Sequence, residues 1–118
     1  MDKSEIQHIK SEENIAKICK SPHLPDSNIC DYRKTIFLDA FAAIEIWYEN
    51  LNPQVCNHFT KSQLSKDAKR FVKDNAKFSN KPSGFIAGTI WIIIAHAIIA
   101  WMIQKIMDWI WNNYHTGT

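Results

Sequence analysis

Five residues carry side chains that hold zinc in other proteins: Cys19, His23, Cys30, Cys56 and His58. A tetrahedral zinc site needs four such ligands, and a small domain can use one as a staple. The spacing argues against it. Cys19 and His23 are separated by three residues, Cys56 and His58 by one, and neither pair matches a familiar finger. No metal site is expected, and no other cofactor. Three cysteines at irregular intervals also make a poor disulfide framework, so reduced thiols are expected. The carboxylates offer no better chemistry. Asp39 and Glu45 lie six apart, which does not bring them to one helix face. Glu49 completes an acidic set whose ordinary role is solvation or pairing with a basic helix. The only glycines are Gly84, Gly88 and Gly117, so no glycine loop precedes residue 84 to cradle a phosphate. No nucleophile elbow and no H-E-x-x-H occurs. A non-enzymatic protein is expected.

One more residue has chemical potential. His96 sits inside GFIAGTIWIIIAHAIIAWMI, residues 84–103, a run without formal charge. Histidine suits proton transfer because its ordinary pKa lies near neutrality. A single histidine per helix is thin support for a proton path. Association of helices is the stronger expectation. Thr89, His96, Ala100 and Gln104 fall within about 80° on a wheel of 3.6 residues per turn. Gly84 and Gly88 form a G-x-x-x-G, with Ala95 near the same face. Small residues let helix backbones approach, and polar groups in a membrane prefer partners to lipid.

The elements that would position these residues follow from pattern. Residues 2–20 read as one or two short helices, with Ile6, Ile9, Ala16 and Cys19 on one face and Ser11-Glu12-Glu13 as a second start. SPHLPDSN, residues 21–28, reads as a loop. Residues 32–51 give the strongest soluble helix: Phe37, Ala40, Phe41, Ile44, Trp47, Tyr48 and Leu51 recur at i, i+3, i+4. Asn52-Pro53 stops it. Thr60-Lys61-Ser62-Gln63 fits a capping box, in which hydroxyl and amide each satisfy an orphan N–H. Leu64, Ala68, Phe71 and Val72 then stripe a basic helix ending near Phe78. Residues 79–84 read as a hinge.

Charge divides the chain more sharply than its net +2 or its mean hydropathy of −0.28 suggest. Residues 1–58 carry 6 basic and 9 acidic side chains. Residues 59–83 carry 7 basic and 2 acidic, and residues 84–118 only Lys105 and Asp108. Phe85 to Ile103 contains eight isoleucines and spans about 28 Å as a helix, close to the hydrocarbon thickness of a bilayer. Its isoleucines and phenylalanine favour insertion by roughly 3–5 kcal/mol. A membrane span is expected over a buried core helix, because the remaining residues form too small a domain to cover every face of it. Trp109, Trp111 and Tyr114 then form an interfacial aromatic group. Lys66, Lys69, Arg70, Lys73, Lys77 and Lys81 form a basic flank able to meet anionic headgroups.

The fold expected is all-α: a helical cytoplasmic domain of about three helices over 1–78, a hinge over 79–84, a single transmembrane helix over 85–107 and an aromatic interfacial tail over 108–118. The basic flank puts the N-terminus in the cytoplasm. No cleavable signal peptide is expected, since MDKSEIQHIK has no apolar stretch. The expected role is recognition, assembly or regulation at a membrane. The expected partners are the lipid bilayer and, through the tail, a second copy or another membrane protein. The alternatives are a small membrane-perturbing or pore-forming effector or an immunity or lysis regulator, and an accessory subunit of a larger membrane complex. Nucleic acid is not expected, because the basic helix lacks interleaved exposed aromatics.

Overall fold

The computed structural model describes residues 1–19, 27–76 and 89–114, with the side chains of 27–32 and 89–92 excepted. These residues are all-helical, with no strand among them. A 3-10 helix, Lys3–Lys10, leads into α1 (Glu12–Cys19) and α2 (Ser27–Glu49). A second 3-10 helix, Pro53–Asn57, precedes α3 (Lys61–Asn75), and α4 is Thr89–Asn113.

Local chemistry explains most boundaries. The Asp2 carboxylate accepts from the Ser4 N–H at 2.9 Å and caps the first 3-10 helix. Three residues per turn eclipse positions i and i+3, so Ile6 and Ile9 both reach the core. Ser11 starts α1: its hydroxyl accepts from the Asn14 N–H at 3.3 Å, and Glu12 and Glu13 occupy the positive first turn. Asn52 accepts from the Gln54 N–H at 3.0 Å, and Pro53 fills the first position of the second 3-10 helix. The capping box of α3 is complete. Gln63 N–H donates to the Thr60 hydroxyl at 3.1 Å, and Thr60 N–H donates to the Gln63 side chain at 2.9 Å. Helix α3 stops at Asn75, short of the expected end, because Ala76 adopts an extended backbone.

Helix α2 is the centre of the fold and begins earlier than the sequence implies, at Ser27. Of its predicted stripe, Phe37, Ala40, Phe41, Ile44, Trp47 and Tyr48 are buried, and Leu51 beyond its end is partly so. Helix α3 buries Leu64, Ala68 and Val72 against it. Helix α4 packs on α2, α3 and the first 3-10 helix. Its face Ile94, Ala95, Ile98, Ile99, Met102, Ile103, Ile106, Met107 and Ile110 belongs to the same buried cluster as α2 and α3. Each fully buried Ile or Met of this kind contributes about 1.5–3 kcal/mol before the entropy of ordering is subtracted.

The thiols differ from expectation. Cys19 is disulfide-bonded and Cys56 is a buried free thiol. The reason is architectural: α1 ends at Cys19, α2 starts at Ser27, and the two helices pack on each other. Arg33 on α2 also donates to the Ile18 carbonyl at 3.3 Å. Spacing along the chain does not reveal such a return.

Candidate functional site

The seam between α4 and the rest of the protein holds the densest polar chemistry among the described residues. At the C-terminal end of α4, Trp109 donates its indole N–H to the Tyr48 hydroxyl at 3.1 Å. Tyr48 donates in turn to a Glu5 carboxylate oxygen at 3.2 Å. The Tyr114 hydroxyl donates to that same oxygen. One carboxylate of the first 3-10 helix thus gathers α2 and the end of α4. The His8 ring lies 4.8 Å from the Trp109 ring, tilted by 51°. The Met1 amine donates to the Leu51 carbonyl at 3.0 Å, holding the chain start against the end of α2.

Burial first, then the Glu5 charge and Tyr114, pushes the Tyr48 phenol above its ordinary pKa, against the Trp109 hydrogen bond. The Tyr114 phenol is also raised, chiefly by its hydrogen bond to Glu5. Both effects favour the neutral phenol that can donate.

Two more ties hold the seam. Lys61 at the start of α3 pairs with Asp108 of α4 at 2.8 Å, with both side chains about half exposed. The Lys105 ammonium lies 5.5 Å from the centre of the Trp101 ring, whose other neighbour is Phe37 of α2 at 6.0 Å.

The residues expected to mediate association separate into groups. His96, Ala100 and Gln104 do share one face, and it is the exposed face of α4. Ala95 is buried. Thr89 opens α4, and Gly84 and Gly88 lie outside the described residues. Of the basic flank, Lys66, Arg70 and Lys73 are exposed and Lys69 is half-buried, while Lys77 and Lys81 lie outside the described residues. Trp109, Trp111 and Tyr114 pack partly against the core. Sequence reasoning missed Glu5 and the part Tyr48 plays. An acid beside a buried tyrosine, with tens of residues between them, leaves no spacing signal. It also missed Phe59, whose isolation in the polar stretch CNHFTKS was the available clue.

Among the described residues one helix is long and apolar enough to cross a membrane, Ile93–Asn113. A core helix passes the same test of length and composition, and 50% of its apolar window is buried inside the protein. The 85–107 span expected from sequence starts outside the described residues; both ranges contain Lys105, and Ile93–Asn113 adds Asp108. A lysine near mid-bilayer costs roughly 2.5–3.5 kcal/mol before snorkelling. No family model, no curated protein and no solved structure matches the chain.

Proposed function

We propose that this chain acts without catalysis, in recognition, assembly or regulation at a membrane, and that α4 is the element that meets the bilayer. The observation that carries this reading is the double character of α4. It has the length and apolarity of a span, yet its apolar face completes the core of the bundle. Insertion therefore has to be coupled to undocking, which makes membrane engagement conditional. Protein interior and hydrocarbon offer α4 similar relief from water. The balance between them is set by the polar ties at the seam and by the exposed basic residues of α3, which anionic headgroups attract. In the inserted state the basic helix faces the cytoplasm, and the His96, Ala100 and Gln104 stripe meets a second copy or another membrane protein.

The test begins with the full chain in buffer free of amphiphiles, followed by flotation with vesicles of neutral or anionic lipid. A monodisperse protein that floats with anionic vesicles, and exposes the Lys105 peptide bond to trypsin less when bound, supports the reading. Failure to float with any vesicle removes the membrane role. Aggregation without detergent removes the docked state.

A second reading has its own support. The outer face of α4 carries His96, Gln104 and Lys105, as a helix that stays in water would. A permanently docked α4 makes the protein an adaptor with no lipid contact. The same flotation experiment separates the two. Leakage of vesicle contents on binding would instead favour a pore-forming effector.

A further inference from the structure

Away from the α4 seam, the protein carries an apolar recess with a cationic rim, between the second 3-10 helix and α3. Leu51, Val55, Phe59 and Leu64 form its apolar lining. Its volume is about 400 Å³, inside the range of about 300–1,000 Å³ typical of small-ligand pockets. Phe59 is 45% exposed there, so a large aromatic surface remains in water at the mouth. Lys66 and Arg70 stand at i and i+4 on α3, both exposed and both lining the recess. The ion pairs among the described residues are Lys17–Glu13 and Lys61–Asp108, so neither rim cation is neutralised by a partner. Asp67 also lines the recess, one of its carboxylate oxygens accepting from the Trp47 indole N–H at 2.9 Å, so the rim sets two cations against one carboxylate. Two uncommitted cations beside a small apolar pocket complement a ligand with an anionic head and an alkyl chain.

We infer that this recess binds an anionic lipid, its phosphate between Lys66 and Arg70 and the first part of its chain over Phe59, Val55 and Leu51. Its size favours an alkyl chain over a partner helix, whose diameter of about 10–12 Å needs a longer groove. The site extends the membrane reading without requiring α4 to insert. It gives the docked protein a means of recognising an anionic surface before the bundle opens.

The experiment uses the full isotope-labelled chain and dodecyl phosphate below its micelle concentration. Inorganic phosphate and dodecyl maltoside serve as separate arms. Saturable shifts of the Trp47 indole N–H and of the Leu51, Val55 and Leu64 methyls are expected with dodecyl phosphate. Each of the other two probes should bind at least about tenfold more weakly, because each offers half of the recognised chemistry. The double variant Lys66→Glu, Arg70→Glu should lose about tenfold or more in affinity with its helical signal intact. Lys34→Glu, on α2, changes net charge equally per site and should leave affinity unchanged. The assignment is overturned by equal affinity in the double variant, by an equal loss in Lys34→Glu, or by shifts confined to the outer face of α4. Competition by an acidic amphipathic peptide, without binding of dodecyl phosphate, overturns the lipid in favour of a protein partner. Binding of dodecyl phosphate together with failed vesicle flotation would leave the recess standing as a site for free anionic lipid and remove the membrane role.

Discussion

Trp109 of α4 reaches back 61 residues to donate its indole N–H to Tyr48 of α2. Tyr48 is fully buried, and its own proton goes to Glu5. Replacing Tyr48 with Phe therefore keeps the ring, strands the Trp109 indole N–H and leaves Glu5 with the Tyr114 hydroxyl as its donor. A loss of about 1–3 kcal/mol is expected, which lowers Tm by roughly 4–8 °C per kcal/mol in a chain of this size. Cleavage by trypsin after Lys105 should accelerate in parallel, since the lost bond holds α4 in place. Lys61→Ala offers the contrast. Its pair with Asp108 is half exposed, so it should cost under about 1 kcal/mol and vanish in high salt.

The two raised tyrosines set an alkaline limit. In the folded protein Tyr48 and Tyr114 hold their protons more tightly than an unfolded chain does. The native state then binds more protons through that range, so stability falls as pH rises. Their contribution is complete below about pH 10, the ordinary tyrosine value, and disappears as pH climbs through the raised ones. Denaturant midpoints measured upward from neutral pH should show this decline above about pH 10. Tyr48→Phe should flatten most of it. A flat profile in the parent protein would count against the Glu5 cluster.

Thiol counting tests the α1–α2 return. Cys56 is completely buried, and burial pushes its thiol upward in pKa, so it should react slowly with thiol reagents in the native protein. In denaturant without reductant, fewer than three reactive thiols per chain are expected; three would mean that Cys19 is not bonded. Reduction of the bond should lower stability by about 2–4 kcal/mol, the usual range for a structural disulfide.

What the sequence revealed and concealed follows the range of the interactions. The Thr60–Gln63 capping box was legible because both partners sit within one turn. The α2 stripe was legible because six neighbouring positions agree on one face. Helix α4 was legible as a helix, and the common face of His96, Ala100 and Gln104 was legible too. The surroundings of that face were not. A cylinder rich in isoleucine satisfies a bilayer and a protein core alike, and spacing identifies a face without naming what covers it. Glu5 with Tyr114, and Cys19 with its partner, depend on how distant segments return to each other. The recess at Phe59 needs three elements to form, so no single stretch announces it.

The two faces of α4 make the sharpest comparison of docking against anchoring. Ile106 is fully buried against the bundle, and Ile106→Ala should cost about 2–5 kcal/mol of global stability in plain buffer. Ala100 is exposed at the edge of that face, in an open recess beside α3, and Ala100→Leu should stay within about 0.5 kcal/mol of the parent. A helix serving only as an anchor predicts the reverse ordering of consequences. There, removing one methyl-rich side chain from lipid would leave the folded domain untouched, whereas filling the small-residue stripe would disturb pairing in the membrane. Paired measurements settle it: chemical denaturation in buffer for both variants, and cross-linking in vesicles for both. Loss of stability confined to Ile106→Ala, with loss of cross-linking confined to Ala100→Leu, is the outcome expected of a helix that uses one face to dock and the other to associate once inserted.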